Sequence, residues 1–328
     1  MGGFNIRSAN SKSFKPGTNW PAKFGVVRDK KTGRYLSKDK NENDISNDKS
    51  NKKTLAEALE ICSNAGYKVT KEELKRGGKY NLDIDYHHGH TYKVGIVSDT
   101  QMGSLYEQLD SLWAFYDYCD KDGITEIWNA GDISDGHGMY TGHTFELFCH
   151  GERAQAKYII ENYPKFDDII TRFIGGNHDE SFWRQNGADI CHDIAIQRPD
   201  LIYLGYYIAA FKLGLSNIIL HHGDGGVAYA QSYRPQKYAI SYIENEGFKT
   251  PDILVLGHYH CSCILPHYMG MYIIQMPCFQ AVTPRYMGRK GLNPHIGGVI
   301  LEITEKNGKV ISTKTECKTY STLQKRIR

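Results

Sequence analysis

The chain has 328 residues, of which 40% are hydrophobic and 12% aromatic, and its formal net charge is only +3. This composition is typical of a globular protein and excludes a disordered chain. The length is enough for one large domain, or for a core domain with an appendage. The small positive charge permits nucleic acid as a partner but does not predict one.

Membrane insertion and disulfide bonding are not expected for this chain. No basic-then-apolar leader opens the sequence, and no apolar run approaches the roughly 18–20 residues of a membrane span. The eight cysteines include no C-x-x-C pair, and only Cys261 and Cys263 lie close together in the sequence. We therefore expect a cytoplasmic protein with free thiols and no membrane partner.

The first ninety residues differ in character from the rest. Residues 1–53 are predicted to be a polar N-terminal region and linker, with a small hairpin over 23–36. Residues 54–90 are predicted to be a short helical hairpin that opens with the capping-box pattern of Thr54–Glu57. Two short helices around a turn are also the pattern of a DNA-binding helix-turn-helix, and a hairpin docked on the main domain is the alternative.

Residues 91–320 are predicted to form one α/β domain, and residues 321–328 a basic tail. Short apolar runs that suit buried strands alternate with amphipathic helical patterns. The expected strands are residues 92–98, 124–130, 169–174, 201–213, 217–221, 252–256, 272–276, 298–304 and 309–315. The expected helices are one that opens with a capping box at Ser104, and residues 144–162, 180–196 and 235–246.

Five of the apolar strands run into a turn that carries Asp, Asn or His beside a small residue. In open α/β sheets, ligands bind outside the carboxyl ends of the strands, so these turns are expected to converge on one crevice. Carboxylate, amide oxygen and imidazole are the groups that bind borderline divalent metals. The five turns are Val97–Gln101, Asn129–Gly136, Ile174–Glu180, Leu220–Asp224 and Leu256–His260.

Backbone geometry gives two expectations about these turns. Asp99 and Gln101 are two residues apart, and the period-2 alternation of a strand is expected to aim both into one pocket. A turn beside a ligand must also fold tightly. The positions expected to supply a positive φ or a close approach are Gly131, Gly176, Gly223 and Gly257.

Taken in order, the motifs D-x-Q, G-D-x-x-D, G-N-H-D, H-G and G-H-x-H resemble those of the calcineurin-like metallophosphoesterase superfamily. The resemblance covers about residues 92–305. It implies an α/β fold, a layered β-sandwich flanked by helices, here with a small N-terminal appendage. It also implies a centre of two divalent metal ions, for which Mn²⁺ is favoured and Fe or Zn are alternatives. The implied ligands are Asp99, Gln101 and His260 for the first ion, Asn177, His222 and His258 for the second, and Asp132 as the bridge.

Gln101 departs from the family pattern, which commonly has histidine at this position and reads D-x-H. An amide oxygen can bind a metal ion, but it is a harder and weaker ligand than imidazole. The alternative is that it contacts the ion through a water. Gln101 therefore favours an oxygen-tolerant ion such as Mn²⁺ or Fe²⁺ at the first site. Of the two adjacent histidines, His222 directly precedes Gly223, as the family ligand does. His221 is left as a neighbour of the site or as a core residue.

The resemblance also implies the reaction. Two ions would hold a phosphoryl oxygen and a bridging hydroxide, which attacks phosphorus in line with the leaving oxygen. His178 corresponds to the catalytic histidine on the leaving-group side, and Asp135 to the residue that orients it. Arg285 and His137 are candidate substrate contacts, because arginine binds phosphate in a bidentate manner and His137 follows the G-D-x-x-D motif.

Three functions fit these motifs. The first, which we expect, is a phosphodiesterase such as a nuclease resembling the Mre11/SbcD branch, with DNA as a candidate substrate. The second is a phosphomonoesterase acting on a nucleotide or phosphoprotein, because the same centre serves both reactions, although the R-G-N-H-E form of the protein phosphatases is missing. The third is a non-catalytic interaction module on the same fold, which the retained His178 and ligands disfavour.

Overall fold

The computed structural model describes residues 90–214, 216–244, 250–306 and 309–321, together with the backbone of two short strands near the N-terminus. The chain divides into two units, Met1–Asp83 and Ile84–Arg328. In the first unit, β1 (Val26–Arg28) pairs antiparallel with β2 (Tyr35–Ser37), which confirms the predicted hairpin. Residues 54–89 of the predicted helical hairpin and 322–328 of the predicted basic tail lie outside the described residues.

The second unit alternates strands and helices. Its first half contains β3 (His90–Val97), α1 (Leu109–Lys121), β4 (Glu126–Asn129), α2 (Glu152–Asn162), β5 (Ile170–Gly175), α3 (Glu180–Asn186), α4 (Ile190–Ala195), β6 (Leu201–Tyr206) and β7 (Ile208–Leu213). Its second half contains β8 (Ser216–His221), α5 (Tyr233–Glu244), β9 (Ile253–Leu256), β10 (Cys263–Tyr268), β11 (Met271–Gln275), β12 (Gly297–Lys306) and β13 (Lys309–Thr319). A 3₁₀ helix at His143–Glu146 and a π-helical turn at Pro284–Gly288 lie in the connections.

The strands form two sheets. One has the order β13-β12-β3-β4-β5-β6, with β3 to β6 parallel, and the other has the order β10-β11-β9-β8-β7, with β8, β9 and β11 parallel. The sheets pack face to face, and helices cover their outer faces. This layered β-sandwich flanked by helices confirms the predicted α/β fold class.

The alternation of side chains along β9 shows why such strands are apolar throughout. Ile253 and Val255 lie in the core between the two sheets, whereas Leu254 and Leu256 pack against Ala239 of α5 on the outer face. A strand covered on both faces has no solvent side to carry polar residues. The change to polar residues directly after Leu256 therefore marks where the strand leaves the core.

Several predicted elements have different bounds. The capping-box prediction at Ser104 is wrong, because α1 begins at Leu109 and the Ser104 hydroxyl accepts instead from the backbone N–H of Tyr106 in a local turn. The predicted strand over 201–213 is two strands in different sheets, separated at Tyr207, whose φ is 64°.

Both long predicted helices are also shorter. The pattern over 180–196 divides at Gly187, which ends α3 with a φ of 75°. The pattern over 144–162 contains a 3₁₀ helix and then α2. Strand β10 has no counterpart among the predicted strands, because polar residues and Pro266 interrupt its apolar pattern.

Two further features of the described residues concern the thiols and the helices. In this part of the chain, seven cysteines have free thiols, as predicted. None of the helices described has the length and apolar character needed to cross a membrane.

Candidate metal centre

The predicted site residues follow the carboxyl ends of five parallel strands. Their backbones are tied to one another across the strand ends: the Asp99 N–H donates to the Gly131 carbonyl at 2.9 Å, and the Gln101 N–H donates to the Asp132 carbonyl at 3.1 Å. The Gly257 N–H likewise donates to the His221 carbonyl at 3.0 Å. The His258 N–H donates to Asp99 Oδ2 at 2.9 Å, and the His178 N–H donates to Asp132 Oδ1 at 2.9 Å. With these bonds the five turns form one connected rim.

Five of the predicted metal ligands have a left-handed backbone conformation. The φ angles are 50° at Asp99, 48° at Gln101, 55° at Asp132, 77° at His258 and 55° at His260. Non-glycine residues held in this region cost of order 1–3 kcal/mol each and concentrate at functional sites. The rim therefore carries backbone strain that the surrounding hydrogen bonds must offset.

This conformation corrects one expectation about Asp99 and Gln101. Strand β3 ends at Val97, so the period-2 alternation of a strand does not explain why both side chains enter the site. Both are instead buried because the left-handed turn after the strand directs them inward. The shared location is observed, but its predicted cause is wrong.

The glycines of the turns provide space more than conformational freedom. A Cβ at Gly176 would lie 2.2 Å from Asp132 Oδ1 and 2.6 Å from His222 Nε2, although the φ of Gly176 is not positive. Gly131 combines both requirements, since its φ is 102° and a Cβ would lie 2.5 Å from His222 Nδ1. Any side chain at either position would displace the predicted ligands.

Asn177, His222 and His258, which we name the histidine half, converge on a common point with Asp132. The Nε2 atom of His222 lies 3.1 Å from Asp132 Oδ2 and 3.1 Å from Asn177 Oδ1. The Nδ1 atom of His258 lies 2.8 Å from the same Asn177 oxygen. Ligand atoms of Asp132, His222 and His258 all lie within 4.8 Å of one another, as a metal ion requires.

Backbone carbonyls fix the orientation of both imidazoles. The His222 Nδ1 lies 2.8 Å from the Ala130 carbonyl, and the His258 Nε2 lies 2.9 Å from the Gly225 carbonyl. Because a carbonyl only accepts, each contacted nitrogen carries the proton, and the opposite nitrogen of a neutral ring has a free lone pair. This is the arrangement by which neighbouring groups orient metal-binding histidines.

Asp99, Gln101 and His260, which we name the glutamine half, lie beside the shared Asp132. His260 Nε2 is 3.1 Å from Asp99 Oδ1, and the Gln101 amide donates to Asp132 Oδ2 at 3.1 Å. The Gln101 Oε1 and His260 Nδ1 atoms are buried and have no hydrogen-bond partner. The free amide oxygen of Gln101 is thus available to a cation or a water.

Burial and neighbouring charges shift the pKa values of Asp132, His222 and His258 in different directions. Burial opposes charge on both Asp132 and His222, but their ion pair outweighs it. The pKa of Asp132 therefore lies well below its usual range, and the pKa of His222 is raised to about 9. Burial and the adjacent His222 lower the pKa of His258 to about 4, so this ring is neutral at pH 7 and able to bind a metal.

His178 lies beside this centre, and Asp135 holds it mainly through its backbone. The His178 Nδ1 is 2.6 Å from the Asp135 carbonyl oxygen and 3.6 Å from the carboxylate Oδ1. That carboxylate accepts from the Gln280 amide at 3.0 Å, and its other oxygen lies 3.3 Å from His143 Nε2. The structure therefore brings Asp135 and His178 together, with Gln280 and the buried His143 as further neighbours of the carboxylate.

Asp179 is a residue of the site for which no role was predicted from the sequence. Its buried carboxylate accepts from four donors: the backbone N–H groups of Ile133, Ser134 and Gly176, and the Ser134 hydroxyl. It thereby ties the turn after β4 to the turn after β5. Its position as the fourth residue of G-N-H-D could have indicated that it belongs to the site. Its partners Ile133 and Ser134, more than forty residues away, could not be predicted from the sequence.

A cavity of about 550 Å³ opens at the centre. Its lining includes Asn177, His178, His258 and His260. The lining of this cavity does not include the two predicted substrate contacts, His137 and Arg285. The His137 backbone N–H donates to the Ser181 hydroxyl, and the Arg285 guanidinium lies 4.9 Å from the ring centroid of Phe145. A substrate role for these two residues stays a prediction.

Comparisons with models of protein families and with curated proteins found no match. Among solved structures, the chain is similar to Vps29 complexed with Zn²⁺ from Entamoeba histolytica, with 16% identity and a TM-score of 0.35 over 69% of this chain and 98% of that one. A single mutant of that Vps29 matches with 16% identity and a TM-score of 0.36, over 70% and 99%.

Vps29 from Chaetomium thermophilum matches with 11% identity and a TM-score of 0.35, over 70% of this chain and 99% of that one. At such identities a likeness to solved structures does not carry an activity from one protein to another. The function is therefore inferred from the residues of this chain.

Proposed function

We propose that the protein is a metal-dependent phosphoester hydrolase that acts on phosphodiesters. The observation that carries the proposal is the convergence of Asp132, Asn177, His222 and His258 at a cavity that His178 also lines. Metal-ligating and proton-transferring side chains at one cavity are the components of metal-assisted hydrolysis.

The donor set fits two divalent cations. The histidine half presents two oriented imidazole nitrogens, an amide oxygen and the Asp132 carboxylate, while the glutamine half adds Asp99, His260 and the unpaired oxygen of Gln101. Mixed nitrogen and oxygen donors suit Mn²⁺, with Fe or Zn as alternatives. Bound ions of this kind lower the pKa of water and polarise a phosphoryl oxygen.

His178 is proposed to protonate the leaving-group oxygen. Its Nδ1 is occupied by the Asp135 carbonyl, so the protonated ring has only its Nε2–H free to donate. The backbone of Asp135 fixes the ring, and a hydrogen bond from the Gln280 amide holds the Asp135 side chain. Proton transfer from a positioned histidine is typically worth about 10²–10⁴ in rate.

The charge of the cavity favours a diester over a monoester. Among the described residues that line it, there is no lysine or arginine. A phosphate monoester carries close to two negative charges at neutral pH, because its second pKa is about 6, whereas a diester carries one. Without lysine or arginine in this lining, the second charge of a monoester would be poorly compensated.

The test compares hydrolysis of bis-p-nitrophenyl phosphate and p-nitrophenyl phosphate with added Mn²⁺, for the wild type and His178→Ala. We expect the diester to turn over, and the rate to fall about 10²–10⁴-fold in the variant. Turnover of the monoester alone would replace the proposal with a phosphomonoesterase. Metal binding without turnover of either ester would point to a non-catalytic interaction module.

A further inference from the structure

Apart from the site residues, aromatic and apolar side chains form much of the cavity wall. Tyrosines at four positions contribute to the lining: Tyr140, Tyr229, Tyr259 and Tyr286. Within the described lining there is no Asp, Glu, Lys or Arg. Proteins that bind nucleic acid strands use lysine and arginine to neutralise successive phosphates. The cavity therefore lacks the groups that follow a polyanion, but it offers surface for a flat, uncharged ring.

Tyr140 and Tyr286 form a fixed part of this wall. Their rings stack with centroids 5.1 Å apart and planes at 25°, and Lys290 Nζ lies 4.0 Å from the centroid of Tyr286. The buried carboxylate of Glu146 accepts from the Tyr140 hydroxyl at 2.5 Å and from the Arg285 backbone N–H at 2.8 Å. Because each ring of the pair already packs on a neighbour, the pair contributes a rigid surface rather than a free stacking face.

Tyr229 is the contrasting ring of the lining. Its side chain is fully exposed, at 107% of the reference area, and both of its faces are open to solvent. It lies in the loop between His222 and α5, whose Gly225 carbonyl contacts His258 of the metal centre. Val227 of the same loop also lines the cavity and is 40% exposed. An exposed aromatic ring beside a reactive centre is suited to stack on a bound ring.

We infer that the substrate of the proposed hydrolase is a small phosphodiester with one flat aromatic group, such as a nucleobase, and that Tyr229 stacks on that group. The inference rests on the proposed function. The phosphoryl group lies by His178, and the aromatic arm extends along the tyrosine-lined wall. Tyr229 is then a specificity residue, which recognises the arm that remains after the leaving group departs.

The test uses two diesters with the same leaving group. One is the p-nitrophenyl ester of thymidine 5′-phosphate, and the other is methyl p-nitrophenyl phosphate, which has no ring on the retained arm. We expect kcat/KM to be about tenfold higher for the thymidine ester, since stacking on an aromatic side chain is worth that much per base. Tyr229→Ala is expected to reduce this ratio to near one, and Tyr229→Phe to retain it.

Tyr233→Ala is the matched control, because Tyr233 is 51% exposed at the start of α5 and does not belong to the cavity lining. Equal kcat/KM values for the two esters in the wild type, or an unchanged ratio in Tyr229→Ala, would overturn the inference. A preference for a single-stranded oligonucleotide that weakens steeply with salt would overturn it in favour of nucleic acid.

A failure of the proposed function is distinguishable from these results, because it removes turnover of both esters at once. Calorimetric binding of thymidine 5′-(methyl phosphate) then decides the inference separately. Binding that Tyr229→Ala weakens and Tyr229→Phe retains supports the aromatic arm, and binding that is equal in all variants contradicts it.

Discussion

The two halves of the candidate metal centre share Asp132 but differ in how their donor atoms are held. In the histidine half, backbone carbonyls of Ala130 and Gly225 orient His222 and His258. In the glutamine half, the Gln101 Oε1 and the His260 Nδ1 are buried without a hydrogen-bond partner. One half is therefore pre-oriented by the fold, whereas the other leaves a weak donor and an imidazole nitrogen unsatisfied.

Because of this difference, we expect the two ions to bind with unequal affinity. Groups that orient metal ligands typically contribute about 10–100-fold in affinity when they are intact. An amide oxygen is also a weaker ligand for most divalent metals than imidazole. We expect the ion that binds more tightly to occupy the histidine half, and the weaker, exchangeable ion to occupy the glutamine half.

The largest effect is expected for Asp132→Asn, because both halves lose the carboxylate they share. Diester hydrolysis should fall by about 10²–10³-fold or more, since the reacting phosphate loses electrostatic stabilisation from both ions. Metal content and steady-state kinetics measure this together. The matched control is Asp110→Asn, an exposed carboxylate of α1, which should behave as the wild type. Two bound ions in the Asp132 variant would contradict a shared bridge.

Gly176→Ala is expected to disturb the histidine half, together with the Asp132 carboxylate that both halves share. The added Cβ would lie 2.2 Å from Asp132 Oδ1 and 2.6 Å from His222 Nε2, so these donors must move. Affinity for the ion of the histidine half should fall about 10–100-fold while circular dichroism shows a folded protein. Gly226→Ala is the control, because nothing lies within 4 Å of its added Cβ. Equal metal affinities of the two variants would show that the close packing is not needed.

The histidine half is also expected to respond to pH. Without metal, the pKa of His222 is raised to about 9, because Asp132 and Asp99 outweigh the opposing effect of burial. Below that pH the ring is protonated, so each ion bound there displaces a proton and affinity falls as pH falls. Calorimetry between pH 6.5 and pH 8.5 should show about a tenfold weaker affinity per pH unit of acidification. A pH-independent affinity would mean that His222 is not a ligand.

The smallest change is expected in the glutamine half. Gln101→His should tighten the weaker ion by about tenfold, since imidazole is the better ligand, and Gln101→Ala should weaken it. Both variants should change the affinity of the tighter ion less, because Gln101 contacts the histidine half only through its hydrogen bond to the shared Asp132. A metal titration of the two variants measures the affinities of the weaker and the tighter ion separately. A change mainly in the affinity of the tighter ion would reverse the assignment of the halves.

Much of the fold was predictable because the strands are buried on both faces. Runs such as Ile253–Leu256 stop where polar residues and glycine begin, and the fold class and the rim of site residues follow from that pattern. The Ser104 capping-box pattern misled, because local turn bonds to Ser104 and Glu107 took the place of a helix start. The division of residues 201–213 between two sheets occurs at Tyr207, whose positive φ could not be predicted from the sequence pattern.

The site was predictable as a set of residues and not as a geometry. The sequence supplied Asp99 and Gln101, but the left-handed turn that directs them inward depends on hydrogen bonds to the turn after β4. The same limit applies to Asp179 and Gln280, whose partners lie far away in the chain. Long-range pairing of polar groups is decided by tertiary packing, which local spacing does not encode.

The most direct test of the two-ion centre is a Mn²⁺ titration of the metal-free protein, with an electron paramagnetic resonance spectrum recorded at each addition. The rate of bis-p-nitrophenyl phosphate hydrolysis is measured in the same samples. We predict that the first equivalent gives a mononuclear signal with little hydrolysis, and that the second gives a spin-coupled signal with full hydrolysis. Saturation at one ion, uncoupled signals, or hydrolysis that does not depend on Mn²⁺ would contradict a centre of two ions joined by Asp132.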